Sequence, residues 1–250
     1  MSALGVADLR ELHARAYHPG QLVIAASGNV EHARLLDVLG DTGWLEAEAG
    51  NREPMISPAP VLAPRATRHV EREGAQTHIV AGTQAMAHGH PDRFPMLLLG
   101  ALLGGGMSSR LFQRVREELG LAYSVYTFQS LHADTGMHGV YVATAPESAQ
   151  DALDAIRTEL RTVVETGLPA DEIAMGRQQL KGQVTLSLES VSSRMYRAAS
   201  VELYGEPYRT LDDLLGLIDG ITDEDVARVA RTYFDPDAFT ILSLGPKGAV

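Results

Sequence analysis

Apolar and polar positions along the 250-residue chain alternate with two different periods, and the switches between them mark out the elements. Residues 5–17 carry apolar side chains at helical spacing, followed by Pro19 and an apolar run over 21–27 that reads as a strand. Glu31 to Leu39 is a second helix, ended by Gly40. Residues 40–65 lack any period and are rich in Glu, Ala, Pro and Gly. Beyond them the pattern predicts strands at 67–73 and 77–84 and a helix from Pro91 to Leu103. A short helix at 109–119 and strands at 121–130 and 136–144 come next. The rest is mainly helical, over 147–166, 170–189, 190–204, 208–219 and 223–233, with a closing strand at 238–244. Strands that cluster rather than alternate strictly with helices predict an α+β fold, in which helices cover one face of a mainly antiparallel sheet.

The chain also repeats itself. Asp8 to Gly28 aligns without gaps on Asp225 to Gly245, residue i of the first copy facing residue i + 217 of the second. Asp8, Pro19, Ile24 and Gly28 recur as Asp225, Pro236, Ile241 and Gly245, and an aromatic residue precedes each proline by two. Each copy reads as a helix, a proline turn and a buried strand ending at glycine. A repeat of this separation is domain-sized, so the chain is expected to hold only the tail of its first copy. The expected organisation is a helix–strand–helix tail over 1–40, an interdomain linker over 41–61 and a C-terminal domain over 62–250.

The segment most informative about function is Gly104-Gly-Gly-Met-Ser-Ser-Arg-Leu-Phe-Gln-Arg-Val-Arg116-Glu-Glu-Leu-Gly120-Leu-Ala-Tyr123-Ser-Val125. Three glycines release the backbone, two serines are placed to cap a short helix, and Gly120 ends it. On a helical wheel of about 100° per residue, Leu111, Phe112, Val115 and Leu119 share an arc with Arg116 at its edge. Arg116 is therefore expected to project its guanidinium past a buried stem into a cleft, with Tyr123 just beyond the turn. An Arg and a Tyr on an ordinary surface would look the same by this measure.

This segment resembles the second-half signature of the insulinase, pitrilysin and mitochondrial processing peptidase family, zinc metallopeptidases of the inverted His-x-x-Glu-His type. The resemblance runs from about residue 5 to the C-terminus. It implies one half of a duplicated two-domain peptidase clamshell, with Arg116 and Tyr123, seven residues apart, as the pair that binds a substrate carbonyl. It also implies an unfolded peptide substrate and a partner, either a zinc-bearing N-terminal half or a homologous subunit.

No His-x-x-Glu-His occurs in the sequence: Glu31-His32 supplies the last two letters, but Gly28 stands where the first His belongs. The chain is thus expected to bind no zinc, to hold no catalytic residue and to be inactive alone. A rival metal motif, His88-x-His90-x-Asp92, would suit an independent metal hydrolase, although Arg93 follows where a further His would be needed. The competing reading is a polar loop, with Asp92 near the start of the next helix. The glycines lack the following Lys of a phosphate loop, and Ser108 and Ser109 have no evident His–Asp partners. Adjacent Glu117 and Glu118 read as a solvated helix face.

Composition removes other classes. A formal net charge of −11 argues against nucleic acid or an anionic membrane as partner, and the absence of cysteine excludes disulfides and thiol chemistry. No apolar run is long enough to span a bilayer, and the first residues lack the basic and apolar regions of a signal peptide. The expected setting is cytoplasmic. Three readings follow: the substrate-binding half of a zinc endopeptidase, a non-catalytic subunit pairing with an active homologue, or, third, the independent metal hydrolase using His88, His90 and Asp92.

Overall fold

A computed structural model describes residues 4–43, 45 and 65–246. It divides into two compact units, one made of residues 1–58 and 186–208 and the other of 59–185 and 209–250. Residues 186–208, read from sequence as part of the C-terminal domain, thus group with the N-terminal segment. The linker expected over 41–61 lies almost wholly outside the described residues.

The larger unit is built on a five-stranded sheet in the order β1-β5-β2-β4-β3. Its strands are β1 (Thr67–Glu71), β2 (Thr77–Ala85), β3 (Ser124–Leu131), β4 (Gly136–Thr144) and β5 (Thr240–Gly245). β1 and β5 run parallel, and every other pair is antiparallel. Alternation fixes the two faces. Ile79 and Ala81 of β2, Val140 and Val142 of β4, and Ile241 of β5 point to the core. On the opposite face Val70, Tyr126, Met137 and Leu242 are exposed, and Tyr126 stacks on Tyr141 at 4.8 Å between ring centres. Tyr141 in turn shares a 2.7 Å hydrogen bond with His78 Nδ1. The α+β architecture with helices on one face is as the hydrophobic pattern implies.

Helix α3 (Arg93–Gly104) is apolar nearly all round and fills the core, burying Met96, Leu98, Leu99, Leu102 and Leu103. Each such side chain contributes roughly 1.5–3 kcal/mol on leaving water. Helix α4 (Ala149–Thr166) presents a regular stripe of Ala152, Leu153, Ile156, Leu160 and Val163, and a later helix, Asp223–Tyr233, buries Val226, Val229 and Ala230. Two further helices in this part of the chain, Ala170–Ser187 and Leu211–Asp219, bury Ile173, Gly176, Leu180 and Ile218.

The smaller unit contains α1 (Val6–Ala16), α2 (His32–Asp41) and a helix over Val191–Leu203. The strand expected at 21–27 does not form: Pro19–Gln21 is a 3₁₀ turn, and 22–27 has no ladder partner among the described residues. A strand is defined by its neighbour, and the described residues of this unit supply none.

His138 lies on the core face of β4 against Phe234 and Phe239, and its Nε2 donates to the Tyr233 carbonyl at 2.6 Å. Burial pushes its pKa down to about 4, with the Tyr233 hydrogen bond opposing, against 6.5 for an ordinary histidine. The unfolded chain therefore binds the extra proton first as pH falls. Stability from the neutral ring is fully present above about pH 6.5 and lost towards pH 4, by roughly 3 kcal/mol in all. Melting temperature against pH should show this slope, and His138→Gln, which keeps a donor but cannot titrate, should flatten it.

Candidate functional site

Gly104 ends α3 against β3. Thr127 Oγ1 of β3 donates to the Gly100 carbonyl at 2.7 Å, and Gln129 Nε2 to the Met96 carbonyl at 2.9 Å, so helix and strand are held close. A Cβ on Gly104 would meet the Thr127 backbone amide, which explains the glycine by approach rather than by dihedral angle. The chain then turns through Gly106, where Ser109 Oγ donates to the Gly106 carbonyl at 2.6 Å. No serine side chain caps the following helix, contrary to the sequence expectation; Ser109, 3% exposed, closes the turn instead.

Residues Phe112–Glu118 form a π-helix rather than an α-helix. The Leu119 amide donates to the Arg114 carbonyl five residues back, at 3.2 Å. Runs of this kind are rare and recur at functional sites. The wider turn changes the phase of the wheel. Leu111 and Val115 stay fully buried, but Leu119 is exposed, so the arc drawn from sequence is wrong at its last member.

Arg116 stacks its guanidinium over the Phe112 ring at 4.7 Å, and its Nε lies 3.8 Å from Glu117 Oε1. Its side chain is 45% exposed. The ring holds one face of the guanidinium while the N–H edges remain without hydrogen bonds among the described residues. Gly120, with φ of 64°, then reverses the chain as a left-handed helix stop. Tyr123 follows, 60% exposed, its amide donating to the Ala143 carbonyl at 2.8 Å. Its hydroxyl has no protein partner among the described residues. Arg116 and Tyr123 thus flank one turn, both solvent-exposed. Neighbouring charges are differently employed: Arg114 pairs with Glu118 at 2.7 Å.

Sequence reasoning overlooked Arg110. Its Nε and Nη2 donate to the two carboxylate oxygens of Glu172, each at 2.7 Å, and its Nη1 to Glu159 at 2.8 Å. The Glu172 hydrogen bonds, seconded by Glu159 against the opposing effect of burial, raise the guanidinium's pKa above its ordinary value. This fork ties the start of the π-helix to α4 and to helix Ala170–Ser187. No local signal could have found it, because its partners lie 49 and 62 residues away. Arg110→Met should lower the unfolding free energy by about 2–3 kcal/mol by leaving both half-buried carboxylates unpaired. Denaturant titration at neutral pH measures this.

The His88, His90 and Asp92 motif does not form a metal set. Asp92 is bound by Arg228 at 2.6 Å, and His90 Nδ1 accepts the Asp92 amide at 3.1 Å. The Arg93 guanidinium donates to the His88 carbonyl at 2.9 Å. Among the described residues no three His, Cys, Asp or Glu side chains gather around a common point. The described residues therefore offer no ligand set that fits a zinc ion. No helix among the described residues is long and apolar enough to cross a membrane.

Residues 3–180 match the family model described as the peptidase M16 inactive domain. The chain belongs to the peptidase M16 family. Its zinc-protease relatives include one of Streptomyces coelicolor, 38% identical over 92% of this chain and 51% of the relative. Another, of Mycobacterium tuberculosis, is 36% identical over 100% of this chain and 57% of its own length. The chain thus spans about half the length of the curated relatives it matches. Among solved structures, a peptidase M16 inactive domain from Pseudomonas fluorescens superposes with a TM-score of 0.84 at 23% identity, covering 98% of this chain and 58% of that one. A protease from Helicobacter pylori follows at 0.76 and 20%, covering 98% and 60%. The M16 inactive domain is the family assignment that the Gly104–Val125 resemblance implies.

Proposed function

We propose that this M16 domain is the substrate-binding half of a zinc-dependent endopeptidase, inactive alone and completed by a zinc-bearing half. In that assembly Arg116 and Tyr123 donate hydrogen bonds to a carbonyl of an unfolded peptide. They hold the peptide and stabilise negative charge that develops on the carbonyl oxygen during hydrolysis. The observation that carries this reading is the exposed pair flanking Gly120: a stacked guanidinium and a phenol, both with donors not used by the fold. The uncovered sheet face with Tyr126 and Tyr141 is a surface on which an extended peptide could lie.

The test mixes the chain with a separately produced zinc-bearing M16 half and follows cleavage of a quenched fluorescent peptide. Hydrolysis that needs both proteins and is lost to a chelator supports the proposal. A stable mixed complex with no hydrolysis, or hydrolysis unchanged by removing this chain, favours the non-catalytic subunit.

A further inference from the structure

The two donors of the proposed site are anchored in different layers. Tyr123 rides on the sheet. Its amide donates to the Ala143 carbonyl of β4, and Thr144 Oγ1 of β4 donates to the Leu121 carbonyl at 2.5 Å, two residues earlier. Arg116 rides on the π-helix, its guanidinium resting on the Phe112 ring. The separation of the two donors is therefore set by whatever fixes the π-helix against the rest of the larger unit.

Polar side-chain contacts along that helix are local. Arg114 pairs with Glu118, Arg116 approaches Glu117, and Gln113 Nε2 donates to the Met107 carbonyl at 2.6 Å. None of these ties the helix to a distant element. Burial of Leu111 and Val115 holds it to the core, but apolar contact is non-directional and fixes position less sharply. Arg110 differs. It stands two residues before Phe112, and its bonds reach Glu172 and Glu159 on two helices seated in the core by Ile173 and by Ile156 and Leu160. Arg110, Glu172 and Glu159 are 26%, 21% and 17% exposed, so solvent competes little for these bonds. With Nε, Nη1 and Nη2 all engaged, the planar guanidinium cannot turn or slide without breaking one of them.

Such a cluster is a costly way to gain stability alone. Half-buried charges must be desolvated, and apolar side chains of similar volume often stabilise as well or better. What apolar packing lacks is a fixed direction. We infer that Arg110 is a positioning residue: by forking onto Glu172 and Glu159 it fixes the Phe112 ring and the Arg116 guanidinium relative to Tyr123, and through them peptide turnover. Misplacing a group by about 1 Å can cost on the order of 10²-fold in rate. The inference rests on Arg116 as a carbonyl donor and adds the residue that acts through it.

Two measurements test it, each made well below the melting temperature of the variant. In the 250-residue chain, the Nε–Hε magnetic resonance signal of Arg116, identified by its loss in Arg116→Ala, should carry a ring-current shift that vanishes in Phe112→Leu. Arg110→Lys keeps the charge but cannot span both carboxylates, and should move this signal most of the way to its place in Phe112→Leu. Glu172→Gln, which disturbs the fork from the other side, should move it in the same direction. In the complex with the zinc-bearing half, Arg110→Lys should lower kcat about tenfold or more with KM nearly unchanged. In an Arg116→Ala background the same change should cost less than about twofold, because no guanidinium remains to be positioned. A residue that serves the fold alone would scale turnover by the same factor in both backgrounds. An Arg116 signal that neither Arg110→Lys nor Glu172→Gln moves, or equal factors in the two backgrounds, would overturn the inference. A moved signal with normal turnover in Arg116→Ala would support the positioning by Arg110 and remove the proposed function instead.

Discussion

In an assembled enzyme, Arg116→Lys and Tyr123→Phe should each lower peptide turnover tenfold or more while leaving the chain's melting temperature nearly unchanged. The stability half of this expectation follows from exposure. The Tyr123 hydroxyl has no partner among the described residues, and the contacts of Arg116 with Phe112 and Glu117 are solvent-exposed, so each change should cost less than about 1 kcal/mol. Lysine keeps the charge of Arg116 but loses both the planar fork and the flat face that rests on Phe112. Phenylalanine removes only a hydroxyl. Removing one donor to a developing oxyanion typically costs on the order of 10²–10³ in rate. Arg114→Lys is the matched control, since Arg114 lies on the same π-helix but is paired with Glu118. A fluorogenic-peptide assay beside thermal melts decides the matter. Normal turnover in both variants would remove the pair from the mechanism, and a large loss of stability would return them to the fold.

Gly104→Ala should be among the most damaging single substitutions in the larger unit, whereas Gly106→Ala, two residues on, should be nearly silent. A methyl on Gly104 would lie 2.8 Å from Thr127 Cγ2 and 3.0 Å from the Tyr126 carbonyl carbon, and closer still to the Thr127 amide nitrogen. Backbone cannot rotate aside as a side chain can, so α3 and β3 would have to separate. That movement stretches the Thr127–Gly100 and Gln129–Met96 hydrogen bonds and loosens the packing of α3 on β3. The expected cost is about 3 kcal/mol, the upper end for an overpacked core. Nothing lies within 4 Å of a methyl on Gly106, so its replacement should stay within about 0.5 kcal/mol. Denaturant midpoints of the two variants provide the comparison; equal effects would refute the packing explanation.

What could be read in the sequence was whatever depends on local period. The stripe on α4, the apolar body of α3, the alternation in β2 and β4 and the Gly120 stop are all properties of a few consecutive residues. The misreadings share a different cause, namely dependence on distant partners. Residues 21–27 have the composition of a strand but no neighbour to pair with among the described residues. Leu119 leaves the core because the backbone adopts a wider helix than the wheel assumed. Asp92 looked like a metal ligand until Arg228, 136 residues away, took its carboxylate. Arg110 was passed over for the same reason. Arg116 and Tyr123 were legible as candidates from the signature around them, whereas the Phe112 ring beneath the guanidinium became visible only in three dimensions.

The position of β5 carries a consequence for the order of assembly. It is the last strand along the sequence yet sits between β1 and β2, with His69 bonded to Ser243 across 174 residues. During synthesis the β3–β4 hairpin can form early and take β2 onto the free edge of β4, but β1 has nowhere to attach until β5 emerges. Until then the outer edge of β2 offers unpaired amides and carbonyls to any passing extended chain. The sheet of the larger unit is therefore expected to close last at β5, the strand that joins β1 to β2.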